Sequence, residues 1–158
     1  MNTTAKFNVD LNRERARLEK PSIKYAALAG LLPEVVEEGH IRLRLPLGDM
    51  HVNHVGSAYA GSMFVAAEIA CGSLFFCTYG SDRWVPVQQS ATIDFLKPLK
   101  GDLTVEGRLT REEALELITP ILERGKGSLN LIMELKDNED EPVGRGAFKV
   151  YALPVPQK

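Results

Sequence analysis

The feature that most constrains this chain is the segment from Ala58 to Tyr79, which is apolar on all sides and carries one charged side chain, Glu68. The segment is long enough to cross a bilayer. It also contains glycine, serine and threonine besides the glutamate, a mixture that suits a helix buried in a protein core better than a membrane span. We therefore predict a long helix from about Tyr59 to Phe76, ended by Gly80, which other elements must enclose.

The remaining apolar patterns predict an antiparallel sheet around this helix. Before it, Ile41, Leu43 and Leu45 alternate with arginines, as in a strand with one wet face. Because short turns join consecutive strands, the pairing should be antiparallel. The fold class is thus α+β, a long central helix wrapped by a curved antiparallel sheet of about five strands. The four strands expected after the helix are Trp84 to Phe95, Leu103 to Leu109, Gly127 to Lys136, and Val143 to Ala152.

Shorter helices complete the predicted architecture. Two at the N-terminus, residues 11–20 and 22–29, should be peripheral. A Thr-x-x-Glu capping box at Thr110 opens a helical insertion near residues 111–124, which Pro120 should kink or split. We predict a single domain overall, in which residues 1–34 form an N-terminal helical segment packed on a domain of residues 35–158.

Charge and cysteine content limit the partners and the location. A net charge of -2 and a pI near 5.9 leave no excess of basic residues, so neither nucleic acid nor an anionic membrane is expected as a partner. The N-terminus lacks the apolar core of a secretory signal. Cys71 and Cys77 point about 120° apart on the helix, which makes a disulfide between them unfavourable. We expect a cytoplasmic protein without a metal.

Glu68 is the candidate catalytic residue. A carboxyl group in apolar surroundings either meets cations and donors or has its pKa raised, and a raised, reachable carboxylate suits a general base or nucleophile. The alternative is a glutamate satisfied by polar neighbours, without chemistry. Gly61 lies two turns earlier on the same face, about 10 Å away along the axis. Because an oxyanion donor and the attacking group must both lie within about 3 Å of one carbonyl, a second copy of the helix must supply one of them.

Two stretches carry a family resemblance. Residues 53–61, Asn-His-Val-Gly-Ser-Ala-Tyr-Ala-Gly, followed by an acid at Glu68, are similar to an Asn-(x)-Gly-(x)-His-Gly-Gly segment with an acid seven residues after its last glycine. Residues 92–101 are similar to a strand that ends in Phe-Leu-Arg-Pro and Gly, and residues 125–127 and 137–143 to parts of a last hairpin. Over about residues 35–152 the chain therefore resembles hotdog-fold acyl-CoA thioesterases of the phenylacetate-pathway type.

The resemblance implies a hotdog fold, no cofactor, and hydrolysis of acyl-CoA or related acyl thioesters to a free acid and CoA. By the same resemblance Glu68 activates water or attacks the thioester. The backbone N–H of Ala60, with Gly61 beside it, would hold the oxyanion, and the side chain of Asn53 would orient the carbonyl or the water. A homodimer is expected, assembled further as a dimer of dimers.

The sequence departs from the family pattern at two positions. Tyr59 stands where the family usually has His, and Ala60 stands for the first Gly. A backbone donor survives the change from Gly to Ala, whereas the missing imidazole affects the substrate range.

Substrate contacts are expected from aromatic and basic side chains near this segment. Lys97 and Lys126 would contact the phosphates of CoA, although most surface Lys side chains, and loop His side chains such as that of His51, are simply solvated. The packing of four apolar residues, Phe64, Leu74, Phe75 and Phe76, would set the tunnel length. The expected substrate-binding residues are Tyr59, His54, Phe64, Lys97 and Lys126.

Two other functions fit the same residues. A hotdog dehydratase or hydratase needs a His paired with an acid, and the predicted helix contains no His. A non-catalytic acyl-CoA-binding module is favoured by Tyr59 and Ala60 in place of His and Gly. A panel of short acyl-CoA substrates with thiol detection separates the three, because only a thioesterase releases CoA.

Overall fold

The fold is an antiparallel sheet wrapped around one long helix. The computed structural model describes residues 6–156. The helices are α1 (Leu11–Glu19), α2 (Lys24–Ala29), α3 (Ala60–Tyr79) and α4 (Arg111–Arg124). The strands are β1 (Leu32–Glu37), β2 (His40–Leu45), β3 (Trp84–Phe95), β4 (Leu103–Arg108), β5 (Gly127–Lys136) and β6 (Pro142–Pro154).

The six strands lie in the order β1-β2-β4-β5-β6-β3, and each neighbouring pair is antiparallel. Alternating residues of each strand face α3, as the pairing of Leu43 with Val105, both fully buried, illustrates. The α+β hotdog class expected from the sequence is confirmed. The long strand β3 pairs on one side with β6, and its other side forms an edge of the sheet.

The central helix begins one residue later and ends three residues later than predicted. Tyr59 is its N-cap, and Gly80 ends it with φ of 70°. A Cβ on Gly80 would overlap the backbone carbonyl of Asn8, so the chain requires glycine at this position. By its length and a mean hydropathy of 1.6 over 18 residues, α3 would qualify as a membrane span. Half of these 18 residues, however, are buried inside the fold.

The sheet encloses only one side of α3. Residues that face the sheet, such as Ala67, Ala70 and Leu74, are fully buried. On the opposite side Phe64 is exposed, and Glu68 and Gly72 are half-buried. The helix is apolar all round because this second stripe must also be covered, and α1, α2 and the start of β3 approach it near Glu68 and Gly72.

Strand β1 was not predicted. Its pattern, Leu-Pro-Glu-Val-Val-Glu, contains a proline and two glutamates that argue against a central strand. The structure accommodates Pro33 because β1 lies at an edge of the sheet and pairs only with β2, with a register shift between Pro33 and Val35. The expected domain boundary between residues 34 and 35 falls inside this strand.

The sequence predicts that Pro120 kinks or splits the helical insertion, and the split does not occur. Helix α4 runs without a break through Pro120, and the capping box at its start is present, with Thr110 and Glu113 exchanging hydrogen bonds. Ala114, Ile118 and Ile121 are buried against the sheet. This packing stabilises the helix and offsets the loss of the backbone hydrogen bond that Pro120 cannot make.

Glu106 is the centre of an ion-pair cluster on the outer face of the sheet. Its carboxylate contacts His40 at 2.7 Å, Lys136 at 2.8 Å and Arg108 at 2.9 Å. Its side chain is only 8% exposed. Burial works to raise the pKa of Glu106, but the hydrogen bonds from Lys136, His40 and Arg108 outweigh it and lower the pKa to about 2.

Candidate active site

Glu68 lies in the middle of α3 on the stripe that the sheet does not cover. Within the described residues its carboxyl group has neither a hydrogen bond nor an ion pair. Desolvation by burial raises its pKa above the ordinary value of 4.5. The side chain is half-buried and therefore reachable. A carboxyl group with a raised pKa and free lone pairs suits proton abstraction or nucleophilic attack.

A recess of about 280 Å³ opens beside Glu68. It lies between the C-terminal half of α3, the two N-terminal helices and the first residues of β3. Its walls are mainly apolar. They are formed by Leu18, Pro21, Ile23, Ala26 and Leu31 from the N-terminal segment, by Ile69, Gly72 and Phe76 from α3, and by Val85 and Pro86 from β3.

Sequence reasoning missed Glu14, a second carboxyl group that lines this recess. Its side chain is 7% exposed, and it contacts Arg17 at 3.3 Å. Burial raises the pKa of Glu14, against the opposing influence of Arg17 and Arg13. The polar composition of α1 predicts a peripheral helix. The spacing of Leu11, Glu14 and Leu18 on one face is a signal that could have been used, but only the packing shows that this face is buried.

The N-terminus of α3 presents unpaired backbone donors. Tyr59 makes no side-chain hydrogen bond to the helix as its N-cap. The first internal bond runs from the N–H of Met63 to the carbonyl of Tyr59, at 3.1 Å. The N–H groups of Ala60, Gly61 and Ser62 are thus left without an acceptor in the described part of the chain. Such a helix end favours a negatively charged oxygen.

The loop before α3 is organised by Asn53. Its side-chain oxygen accepts hydrogen bonds from the N–H of Val55 at 3.0 Å and of Ser57 at 3.1 Å. Its amide nitrogen donates to the hydroxyl of Ser57 at 3.0 Å and to the carbonyl of Ala58 at 3.5 Å. These bonds occupy the amide of Asn53 and position the turn that leads into α3, and the substrate contact expected from the resemblance stays a prediction.

Tyr59 covers the helix N-terminus. Its side chain is 53% exposed, and its ring lies against Gly61, where a Cβ would overlap the ring. A larger residue at position 61 would therefore displace the ring of Tyr59. This ring stands beside the free N–H groups, at the position for which the family resemblance implies His.

The five expected substrate-binding residues do not form one cluster. Tyr59 and Phe64 belong to the exposed side of α3, and Phe64 packs on Phe148 with ring centroids 6.0 Å apart. His54 is exposed in the loop before the helix. Lys97, two residues after β3, pairs with Asp137 at 3.1 Å. Lys126 is exposed next to Gly125, whose carbonyl accepts a bond from Trp84 at the opposite end of β3.

The four apolar residues expected to set the tunnel length do not share one environment in the structure. Leu74 and Phe75 are fully buried against the sheet, so they belong to the core. Phe76 lines the recess beside Glu68, and the guanidinium of Arg17 lies 4.2 Å from the centre of its ring. Of the four residues, only Phe76 borders the space next to the candidate base.

His51 is a structural residue of the same loop. It is buried, its Nδ1 accepts a hydrogen bond from the N–H of Gly48 at 3.0 Å, and its Nε2 lies 2.9 Å from the carbonyl of Ala29. Nε2 therefore carries the proton and donates to Ala29, which ties the end of α2 to the loop. Across residues 6–156, no three His, Cys, Asp or Glu side chains lie close enough together to hold a metal ion. Both cysteines are free thiols.

Comparison with known proteins identifies relatives over nearly the whole chain. A family model described as Domain of unknown function (DUF4442) matches residues 22–152. No curated protein matches. A protein of unknown function from Pseudomonas aeruginosa, named a probable thioesterase, is 36% identical, with a TM-score of 0.83, over 94% of this chain and 99% of that one.

Two more distant structures share the fold. The PaaI protein from the phenylacetic acid degradation operon of E. coli is 16% identical, with a TM-score of 0.68, over 91% of this chain and 96% of that one. A hypothetical thioesterase from Streptococcus pneumoniae, solved with coenzyme A, is 16% identical, with a TM-score of 0.61, over 81% of this chain and 89% of that one.

Proposed function

Since the chain belongs to the DUF4442 family and to the hotdog-fold thioesterase superfamily, we propose that it hydrolyses acyl-CoA thioesters to a free acid and coenzyme A. The observation that carries the proposal is Glu68, a half-buried carboxyl group with a raised pKa and without a partner among the described residues, beside a mainly apolar recess. The name of the Pseudomonas relative and the coenzyme A complex of the Streptococcus protein support the same reaction.

In this mechanism Glu68 takes a proton from water, and the resulting hydroxide attacks the thioester carbonyl. The carbonyl oxygen becomes an oxyanion that the N–H groups of Ala60 and Gly61 stabilise. When the carbonyl re-forms, the C–S bond breaks, and the thiolate of CoA receives the proton from Glu68. Direct attack by Glu68, with an anhydride that water then hydrolyses, uses the same groups.

The two halves of this site come from different subunits. Gly61 and Glu68 are seven residues apart on α3, a separation of about 10 Å along the axis, so one helix cannot place both next to one carbonyl. A second copy related by a two-fold axis can supply the helix N-terminus. Asn53 acts on the reaction by holding the turn that positions this N-terminus.

The edge of the sheet at β3 is the surface we propose for this dimer. The strand is 12 residues long, contains no lysine, and has one acidic residue, Asp94. Long edges of this kind are prone to pair with another strand. Antiparallel pairing of two copies of β3 would join two six-stranded sheets and cover the apolar side chains exposed near this edge, which include Val85, Val87, Phe95 and Leu96.

We expect the protein to sediment as a dimer or larger at micromolar concentration. Val87→Lys, which adds a charge to the edge that the proposed β3–β3 interface would bury, is expected to give an inactive monomer. Ile132→Lys is the matched control, because Ile132 is similarly exposed but lies in the middle of the sheet on β5. An unaltered protein that sediments as a stable monomer and releases CoA would contradict the shared site.

The raised pKa of Glu68 gives a prediction about pH. We expect hydrolysis to increase with pH as Glu68 ionises, with a midpoint above 4.5. A carboxyl group whose pKa is raised on folding stabilises the fold fully below its unfolded pKa, and that stability is lost as the pH rises through the folded pKa. Glu68→Gln should therefore melt at a higher temperature than the unaltered protein at pH 7 to 8, and the difference should vanish below about pH 4. A lower melting temperature at pH 8 would identify Glu68 as a satisfied structural carboxylate.

A non-catalytic acyl-CoA-binding module is the second candidate, because the ring of Tyr59 lies against Gly61 at the proposed oxyanion site. A panel of acyl-CoA substrates with thiol detection decides between the two. Release of CoA in proportion to enzyme supports the thioesterase, and tight binding of acyl-CoA without release supports the binding module. A dehydratase is not proposed, because α3 contains no His and both ring nitrogens of His51 are engaged in the loop.

A further inference from the structure

The recess beside Glu68 extends along α3 in one direction. Gly72 is one turn beyond Glu68 on the same side, and Phe76 is one turn beyond Gly72, each step being about 6 Å along the axis. All three residues line the recess. A group attached to a carbonyl next to Glu68 would therefore run past Gly72 towards Phe76.

The size and walls of the recess fit a hydrocarbon chain. Its volume is about 280 Å³. An apolar cavity of about 150 Å³ is sufficient for benzene, so a space of this size accommodates roughly ten carbon atoms. At its far end the guanidinium of Arg17 lies over the ring of Phe76, and the buried carboxyl group of Glu14 lines the wall. A longer chain would have to bury its end against these charged groups, which is unfavourable.

Gly72 keeps this space open. It is an interior residue of α3, where glycine is less favourable than alanine. Its φ is not positive, so the backbone does not require glycine there. A Cβ built on Gly72 meets no atom within 4 Å, so the neighbouring space is empty, in contrast to Gly61, where the ring of Tyr59 occupies it. A side chain at position 72 would project into the recess without displacing the core.

We propose that this recess binds the acyl chain of the substrate, that the preferred substrates are medium-chain acyl thioesters of up to roughly ten carbon atoms, and that Gly72 determines this chain length. The proposal rests on the thioesterase function proposed above. The N-terminal helices then have a function in substrate selection, since Leu18, Ile23 and Ala26 form the wall opposite Gly72.

The test is a series of side chains at position 72, assayed with butanoyl-, octanoyl- and decanoyl-CoA by thiol detection. For the unaltered protein kcat/KM should rise from butanoyl- to octanoyl-CoA. In Gly72→Ala and then Gly72→Leu, the ratio of kcat/KM for decanoyl-CoA to that for butanoyl-CoA should fall stepwise, by about tenfold or more for leucine, because pockets discriminate to this extent per methylene group. Ala27→Leu is the control, since it places the same leucine side chain on the exposed face of α2 and should leave the ratio unchanged.

The outcomes separate this inference from the proposed function. If the unaltered protein releases CoA and the ratio is the same in the unaltered protein, Gly72→Ala and Gly72→Leu, the acyl chain lies elsewhere and the inference is overturned while the function stands. An equal loss with all three substrates in Gly72→Leu, or a change in its sedimentation, also overturns the inference. If the unaltered protein hydrolyses none of the substrates, the proposed function fails, and the inference that rests on it fails too.

Discussion

Glu68→Gln is expected to lower kcat/KM for acyl-CoA hydrolysis by a factor of about 100 or more, the range typical of general acid-base groups. Glutamine has nearly the shape of glutamate, so the recess and the packing of α3 should be retained. It cannot take a proton from water or form an acyl intermediate. The measurement is steady-state release of CoA by the purified protein, with thermal unfolding to show that the variant is folded.

Two further variants test whether the lower kcat/KM results from the loss of the Glu68 carboxyl group itself. Glu116→Gln makes the same chemical change on the exposed surface of α4 and should leave kcat/KM unaltered. Asn53→Ala should lower activity less than Glu68→Gln, because an amide that positions other groups contributes less than the group that attacks, and Asn53 bonds to the turn before α3. A folded Glu68→Gln protein with unaltered hydrolysis would remove Glu68 from the mechanism.

The second large effect concerns stability. Glu106→Gln is expected to lower the free energy of unfolding at pH 7 by about 2 kcal/mol, because it removes the one anion shared by His40, Arg108 and Lys136. This loss is smaller than the full cost of breaking a buried pair, since Arg108 is 68% exposed and water screens its charge. In a chain of this size the melting temperature should fall by about 5 °C.

The pH dependence of this effect has the opposite sign to that of Glu68. The pKa of Glu106 is lowered from 4.5 to about 2 on folding, so its ionisation stabilises the fold above pH 4.5, and this contribution is lost as the pH falls towards 2. The difference between Glu106→Gln and the unaltered protein should therefore disappear near pH 2. Glu134→Gln is the control, because the pair of Glu134 with Arg145 is exposed and should be worth less than about 0.5 kcal/mol. Equal melting temperatures at pH 7 for all three proteins would show that the cluster adds no stability.

Periodic patterns were sufficient to predict most of the fold. The helix around Glu68, the four strands that follow it and the capping box at Thr110 are predictable from the sequence, and each lies within a few residues of its expected position. Local hydrophobic periodicity and end signals determine such elements. Strand β1 was missed because its pattern contains Pro33, and only pairing at the edge of the sheet, where an absent N–H costs nothing, makes a strand there possible.

The candidate site shows the same division between local and long-range information. Glu68 was found from the sequence because a single charge in an apolar helix is a local anomaly, and the free N–H groups near Gly61 follow from the helix start. The bonds of Asn53 to its own turn were not predicted, since an amide can bond to a substrate or to its own turn, and the sequence does not contain the distances to Val55 and Ser57.

What the sequence determined by itself is the presence of a long apolar helix with one carboxyl group and of strands to wrap it, because these depend on residues close together in the chain. The tertiary structure alone decided which charged residues are buried. Glu14 lies in a polar helix, yet it is buried because α1 packs on α3. Glu106 lies on the solvent-facing side of a strand, yet it is buried because basic side chains from β2 and β5 converge on β4. Both contacts join residues that are tens of positions apart in the chain. Desolvation and pairing at such contacts depend on how the elements pack, and no local pattern encodes that packing.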